Sequence, residues 1–254
     1  MSVSLYAAGM ARPDSDHEHG TSLVQRAVDA VNAYMVEHDL RVGDSLPGEG
    51  HFAAELGVSR AVMREAFGAL AALRLLDVGN GRRPRVGAID GSVMAASMSH
   101  AISTAQVTVA EVWDVRRTLE LQTAAMAATH RTDAQAARIV ALAEAMAEEV
   151  GDMARLATHD IAFHRTIAEA SGNALMTQIV ASFAPLMAIA VPAAWQTRTS
   201  DEDRAKIIER HRALARAIAN RDADAARAEM DAHFETSIGA RLAIEASAVR
   251  RSAA

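Results

Sequence analysis

The chain changes character at Asp90, and this change limits the folds that it can adopt. From there almost to the C-terminus, strand signals are absent and alanine-rich segments keep the apolar spacing of amphipathic helices. No repeat of fixed length occurs, so a helical bundle is favoured over a solenoid. The sequence therefore predicts a mainly α-protein whose C-terminal part is an antiparallel all-α bundle of about seven helices.

Polar or glycine-containing breaks separate the predicted helices of this bundle. Thr132 or Asp133, Asn173 and Asp222 follow such breaks, and each can accept a backbone N–H of the first helical turn. The predicted helices are 92–104, 108–130, 133–150, 152–171, 173–190, 200–219 and 222–246.

Composition narrows the class of protein further. The 254 residues include no cysteine, which excludes a disulfide framework, a thiolate metal site and a cysteine nucleophile. The apolar run from Phe183 to Trp195 is too short to span a bilayer and contains Pro185 and Pro192, so it predicts a buried, kinked helix. Residues 1–20 lack the basic start and apolar core of a signal peptide. We therefore expect a cytoplasmic protein with no membrane partner.

The first 90 residues follow a different pattern of short helices followed by a hairpin. The first two predicted helices span 21–38 and 48–56, and the predicted strands span 75–78 and 85–88. The third predicted helix follows Ser59 and carries its apolar side chains on one side, at Val62, Ala66, Leu70 and Leu73. Gly57 breaks the chain between the second and third helices, and Ser59 stands where an N-cap is needed. Asn80 and Gly81 form a hairpin turn signal between the strands. This order predicts an N-terminal winged helix-turn-helix with a small β-wing.

Positive charge is concentrated in the same region. The chain has a net charge of −6, but residues 59–87 carry +4 and the remainder −10. Arg60 and Arg64 are four residues apart, so they share the face of the third helix opposite its apolar stripe. Arginines in the first turn of a recognition helix can contact guanine in the major groove. Gly81 and Arg82 of the predicted wing are placed to meet a narrower groove or the phosphates. The alternative for the whole basic region is a small helical cap with solvated arginines.

Several motifs of this region resemble the N-terminal domain of GntR-family transcriptional regulators. They are Asp44-Ser45-Leu46-Pro47 with Glu49, Leu56-Gly57-Val58-Ser59-Arg60, Val62-Met63-Arg64-Glu65-Ala66 and Leu70. The resemblance implies a winged helix-turn-helix that contacts operator DNA through Ser59, Arg60, Arg64, Gly81 and Arg82. The chain departs from the family pattern at Gly50, where an arginine is usual, and at Ala61, where a polar residue is usual.

The C-terminal part contains a candidate metal site. Asp160 and His164 are four residues apart on one predicted helix, and His211 and His233 lie on two later helices. One oxygen and three nitrogen ligands suit a divalent first-row metal such as zinc, nickel or manganese. The alternative is that these histidines are ordinary polar residues between helices.

The same region resembles the all-helical C-terminal domain of the FadR-type subfamily. The motifs are Ala157 to Asn173, with Phe163-His164 and Ser171-Gly172-Asn173, and Val112-Trp113-Asp114-Val115-Arg116 with Glu120. The resemblance implies a divalent metal ion, zinc first among the candidates, bound by Asp160, His164, His211 and His233. It also implies a small carboxylate effector that completes the coordination.

Arg116 is the candidate that clamps the effector carboxylate, since a guanidinium can donate two parallel hydrogen bonds to it. A surface ion pair with Glu120 is the alternative. Asn173 is a second candidate effector contact, although its position favours a helix cap.

These features predict a homodimeric, ligand-responsive regulator, a repressor of a carboxylate or sugar-acid utilisation operon that binds a palindromic operator, and not an enzyme. One alternative is a metal-dependent hydrolase or lyase on a helical bundle. Another is a structural zinc site in a helical half that serves only for dimerisation. The expected domains are a tail (1–20), the DNA-binding domain (21–88), a linker and first helix (89–104), the effector-binding and dimerisation domain (105–246) and a tail (247–254).

Overall fold

The computed structural model describes residues 22–79, 81–149, 151–198 and 200–236. The chain divides into two compact units, Met1–Ile89 and Asp90–Ala254. The expected tails 1–20 and 247–254, and the last ten residues of the helix predicted over 222–246, lie outside the described residues.

The first unit is a three-helix domain with a two-stranded wing. Its elements are α1 (Leu23–Glu37), α2 (Glu49–Leu56), α3 (Arg60–Ala72), β1 (Leu76–Asp77) and β2 (Arg85–Val86). The strands are antiparallel, with Leu76 opposite Val86. Gly57 adopts a left-handed φ of 65° at the end of α2, a conformation that glycine accepts without strain. The predicted winged helix-turn-helix is confirmed, with strands shorter than expected.

A small apolar core holds these elements together. Phe52 of α2 packs against Phe67 of α3 with ring centroids 5.9 Å apart, and Val31 and Leu70 are fully buried beside them. Leu73, expected on the apolar side of α3, instead follows the helix as its C-cap and is 52% exposed. Burial therefore falls on the Met63, Ala66, Phe67 and Leu70 face of α3 and leaves the opposite face to solvent.

The second unit is a helical bundle. Its helices are α4 (Ser92–Ser103), α5 (Val109–His130), α6 (Asp133–Glu148), α7 (Met153–Ala170), α8 (Ala174–Ser182), α9 (Ala184–Gln196), α10 (Asp201–Ala219) and α11 (Ala223–Thr236). Thr108 with Glu111 and Thr132 with Gln135 form reciprocal capping boxes that start α5 and α6. Helix α7 packs against α5, α6 and α9, and α11 packs against α5 and α10.

One predicted helix of this bundle is wrong. The segment expected as a single helix over 173–190 is two helices, α8 and α9, that meet at Phe183 with a bend of 53°. The physical reason is Pro185, which has no N–H to donate and whose ring clashes with the carbonyl four residues earlier in a continuous helix. The described part of the unit therefore has eight helices where seven were expected, and the second proline, Pro192, lies inside α9.

No single helix in the described part of the chain is long and apolar enough to cross a bilayer. Helices α8 and α9 satisfy length and composition only when they are taken together across their bend.

Candidate functional site

The first turn of α3 presents the predicted DNA-contacting side chains to solvent. The Ser59 hydroxyl accepts a hydrogen bond from the Val62 N–H at 3.3 Å and thereby fixes the start of the helix at Arg60. Arg60 and Arg64 are both exposed, and the Arg64 Nε lies 3.8 Å from the Glu49 carboxylate. Ionic contact at that distance and exposure is weak, so both guanidinium groups are available to an external partner.

The wing carries the remaining predicted contacts. Gly81 adopts a left-handed φ of 71°, and the Arg82 N–H donates to the Gly79 carbonyl at 3.2 Å, which closes the turn. The Arg82 guanidinium lies 3.8 Å from Asp77 and its side chain is 66% exposed. Asn80, the other half of the predicted turn signal, lies outside the described residues. At Gly50 an added Cβ would meet only the tip of Arg60, at 3.7 Å, so this surface has room for a side chain.

In the second unit, three helices bring His164, His211 and His233 together. These histidines come from α7, α10 and α11, all three are buried, and one ligand atom from each lies within 4.8 Å of the others. Ligand atoms that bind one tetrahedral first-row ion at ~2.1 Å lie about 3.4 Å apart. The three nitrogens would therefore close by up to about 1.4 Å to share one ion.

The hydrogen bonds of the cluster leave nitrogen lone pairs directed inward. The His164 Nδ1 contacts the Glu120 carboxylate, an ionised acceptor, so Nδ1 carries the proton and Nε2 has a lone pair. Among the described residues, His164 Nε2 and His233 Nδ1 are buried nitrogens with no hydrogen-bond partner. Buried polar atoms are normally satisfied, so these two atoms point to a bound group that accepts electron pairs. A divalent metal ion fits that description.

Asp160 gives the same indication through His211. The His211 Nδ1 donates to the Ile207 carbonyl at 2.9 Å, because a carbonyl can only accept. In a neutral ring, Nε2 then turns a lone pair toward the Asp160 Oδ1, only 3.2 Å away. Two facing acceptors repel each other unless a proton or a metal ion lies between them. The four predicted ligands thus lie together, with the Asp160 carboxylate also 3.9 Å from His164 Nε2.

Local electrostatics favour the metal-binding forms of His233 and Asp160. Burial lowers the pKa of His233 well below its usual value, and the neighbouring His211 and His164 lower it further. Burial raises the pKa of Asp160, but a hydrogen bond from His211 and positive charge on His164, when those rings are protonated in the metal-free site, outweigh it, so this pKa is far below normal. A neutral imidazole beside an ionised carboxylate is the combination that a divalent cation requires.

Sequence reasoning missed Glu120 as a functional residue and treated it only as a partner of Arg116. Its carboxylate is 1% exposed and accepts from both Arg116 and His164, so it couples the two. Burial raises the pKa of Glu120, but the charges of Arg116 and His164 lower it more, and the net pKa is below normal. A carboxylate that orients a metal-ligating histidine is a recurrent second contact of metal sites. Its spacing of four residues from Arg116 was the available signal.

Arg116 lies beside the cluster, in the interior. It is 3% exposed, pairs with Glu120, and its guanidinium carbon lies 5.0 Å from the Trp113 ring centroid and 5.4 Å from that of Phe234. The ion pair expected as the alternative exists, but it is buried and not on the surface. Arg116 also lines a recess that reaches Asp160, His211 and His233.

Asn173 has the capping role that its position favours. Its Oδ1 accepts from the N–H groups of Leu175 and Met176, each at 3.1 Å, at the start of α8. It is absent from the residues that line the recess beside the histidines. Thr132 and Asp222 likewise cap α6 and the first turn of α11, the latter through the Ala225 N–H at 2.9 Å.

Two family models match the chain in the order of its two units. "Bacterial regulatory proteins, gntR family" matches residues 23–86, and "FCD domain" matches residues 111–236. The chain belongs to the GntR family. Its helical unit is an FCD domain, the type of effector domain expected for the FadR-type subfamily.

Named relatives agree with this assignment. The Glc operon transcriptional activator of Escherichia coli (strain K12) is 30% identical over 164 residues, which are 63% of this chain and 65% of the relative. The match thus spans just under two thirds of that relative. The HTH-type transcriptional repressor NanR of Salmonella newport is 27% identical over 202 residues, 78% of this chain and 77% of the repressor. A solved structure titled Streptococcus agalactiae GntR shares the fold, with a TM-score of 0.64, 24% identity, and coverage of 84% of this chain and 97% of that one.

These relatives are regulators of transcription and not enzymes, so the prediction of a non-enzymatic protein is confirmed for this GntR-family chain. The alternative of a metal-dependent hydrolase or lyase is set aside on the same ground.

Proposed function

We propose that this protein regulates transcription by binding operator DNA and that a small carboxylate, held at a metal site in the FCD domain, releases it. The observation that carries the proposal is the pair of buried, unpartnered imidazole nitrogens, His164 Nε2 and His233 Nδ1, beside a buried arginine. Such a cluster needs a cation, and a cation beside a guanidinium forms a site for a carboxylate.

The metal is a divalent first-row ion, and we infer zinc in first place with nickel and manganese as the other candidates. Asp160, His164, His211 and His233 would hold it, and the ion would supply a positive centre for the effector carboxylate. Glu120 fixes the tautomer of His164 by accepting its Nδ1 proton, and it holds Arg116 at the same time. These residues bind and orient the metal ion and the effector, and no covalent bond of the effector needs to change.

On the DNA side, we propose that Ser59, Arg60 and Arg64 contact base edges and phosphates in the major groove while Gly81 and Arg82 contact the backbone. The exposure of both α3 arginines and of the wing arginine supports this assignment. Exposed guanidinium groups contribute a salt-dependent affinity as well as sequence reading.

A homodimer on a palindromic operator is part of the proposal, because two recognition helices then meet two half-sites. Three large apolar side chains of the helical unit, Val115, Leu175 and Ile189, are 53%, 55% and 73% exposed and are candidates for the contact between copies. We propose repression as the mode of action; NanR is named a repressor and the Glc relative an activator. A protein that acts on operator DNA works in the cytoplasm, and this location belongs to the proposal.

Release of DNA by the effector requires that the effector bind the DNA-free arrangement more tightly than the DNA-bound one. The test begins with selection of operator sequences from a random DNA library by the purified protein. Fluorescence anisotropy then follows the selected duplex as carboxylates are added to the zinc-loaded protein and to the same protein stripped with a chelator. We expect release only from the zinc-loaded protein. Release that is identical without metal would contradict the proposal, and retention of DNA with every acid would favour a structural zinc site.

A further inference from the structure

Two tryptophans in the recess beside the histidine cluster have indole N–H groups without partners. Trp113 and Trp195 are 7% and 3% exposed, and their Nε1 atoms are buried and unbonded among the described residues. An indole N–H is a donor only, so each needs an acceptor. Neither atom is a metal ligand, and neither has a part in the carboxylate site described above.

Both indoles have a guanidinium on a ring face and an unsatisfied edge. Arg116 lies over Trp113, and the Arg198 guanidinium carbon lies 5.9 Å from the Trp195 ring centroid. The cation–π contacts hold each ring in place but do not engage its N–H. Both rings line the recess that also reaches His211 and His233. Unsatisfied donors on fixed side chains at one recess point to a ligand that brings acceptors.

Most of the recess wall is apolar. About 550 Å³ of empty space, open solvent included, lies among its lining residues, and nine of the fourteen have apolar side chains; the other five are Arg116, Asp160, Arg198, His211 and His233. Leu156, Val191 and Ile207 are typical of these walls and offer no side-chain hydrogen-bonding group. A ligand with a hydroxyl on nearly every carbon would have several hydroxyl groups without hydrogen-bond partners against such walls. Each stranded hydroxyl lowers affinity by about fivefold or more.

We propose that the effector is a carboxylic acid with a mainly apolar body that carries one or two further acceptor oxygens, and that it is not a polyhydroxylated sugar acid. Its carboxylate occupies the site beside Arg116, its body fills the apolar part of the recess, and its acceptor oxygens receive the indole N–H groups of Trp113 and Trp195. This inference rests on the proposed carboxylate-responsive function and narrows the chemical class of the effector.

The test is isothermal calorimetry on the full-length protein with its metal content measured in parallel. The probes are gluconate, phenylacetate and the three methoxyphenylacetate isomers, which add one acceptor oxygen to the same apolar acid. We expect phenylacetate to bind at least tenfold more tightly than gluconate. At least one methoxy isomer should bind about five- to tenfold more tightly than phenylacetate, the gain expected for one buried hydrogen bond.

Trp195→Phe and Trp113→Phe keep an aromatic ring and remove the donor. At least one of them should reduce the ratio of methoxy-isomer affinity to phenylacetate affinity, measured within the same variant, to about one, and far-UV circular dichroism reports whether the variant still folds. The wild-type ligand series decides the matter even when a variant does not fold.

Three results would overturn the inference: tighter binding of gluconate, no binding of any aryl acid, or no gain from a methoxy group at any position. Loss of metal or of operator binding counts against the proposed function instead, because neither depends on the body of the acid.

Discussion

Replacement of Glu120 by glutamine separates a designed metal support from an incidental ion pair. The two carboxylate oxygens of Glu120 have separate tasks, since Oε1 accepts from the Arg116 Nε and Oε2 accepts from the His164 Nδ1. Glutamine has nearly the same shape, but one of these positions becomes an NH₂ donor. If the NH₂ faces the Arg116 Nε–H, that buried hydrogen bond is lost. If it faces His164, the ring must move its proton from Nδ1 to Nε2 in order to accept, and Nε2 then has no lone pair for a metal.

The expected magnitudes follow from burial. Arg116 and Glu120 are 3% and 1% exposed, and loss of one charge from a buried pair typically costs about 3–5 kcal/mol. Because glutamine retains the volume and one acceptor, we expect Glu120→Gln to lower the free energy of unfolding by about 3 kcal/mol. Loss of the group that orients His164 should lower metal affinity by about ten- to a hundredfold, or about 1.4–2.7 kcal/mol.

The chain offers a matched control in Glu169. It also pairs with an arginine four residues away, Arg165 at 2.9 Å, but the two side chains are 41% and 59% exposed. Glu169→Gln should change the unfolding free energy by less than about 1 kcal/mol and leave metal affinity unchanged. Denaturant unfolding of the metal-free proteins and competition with a chromophoric zinc chelator measure the two quantities. If Glu120→Gln behaves like Glu169→Gln in both assays, Glu120 does not support the site.

Four further results are expected. Arg60→Ala should weaken specific operator binding by about 1–3 kcal/mol without loss of helicity, and affinity equal to wild type in anisotropy titrations would remove it from base reading. Arg82→Ala should lower the slope of log affinity against log salt by about 1, and an unchanged slope would show that it meets no phosphate. Burial lowers the pKa of His233, so below about pH 6.5 the folded metal-free protein binds fewer protons than the unfolded chain. Its free energy of unfolding should therefore fall on acidification by up to about 1.4 kcal/mol per pH unit. A stability profile that His233→Gln does not flatten would contradict this. Asn173→Ala should cost about 0.5–2 kcal/mol of stability through loss of the α8 cap and leave binding of the carboxylic acid unchanged. Loss of that binding in calorimetry would instead identify Asn173 as an effector contact.

Local signals in the sequence were sufficient for most of the fold. Gly57 and Ser59 marked the end of α2 and the start of α3 because their chemistry favours those positions directly. Pro185 was recognised as a disruption, yet a proline can either kink or end a helix, and surrounding packing decides which. The split between α8 and α9 therefore could not be read from the chain alone.

The sequence predicted the metal ligands of the candidate site but not the buried Arg116–Glu120 pair that orients His164. Asp160 and His164 share a helical face by spacing, whereas the approach of His211 and His233 depends on how α10 and α11 pack, which only family resemblance could indicate. The burial of the Arg116–Glu120 pair was unforeseen because an i, i+4 pair of opposite charges looks the same on an exposed helix. The unsatisfied indoles of Trp113 and Trp195 have no sequence signal, since satisfaction of an N–H is a property of the whole surrounding fold.

Metal content is the most direct test of the histidine cluster. Elemental analysis of protein purified without a histidine tag, after exposure to zinc, nickel and manganese, should find about one divalent ion per chain. The His164→Ala, His211→Ala double variant should lose it, while a control double variant at the exposed His38 and His51 should keep it. Metal-free wild-type protein after this exposure, or full occupancy in the His164, His211 variant, would contradict the assignment of these helices as a metal site.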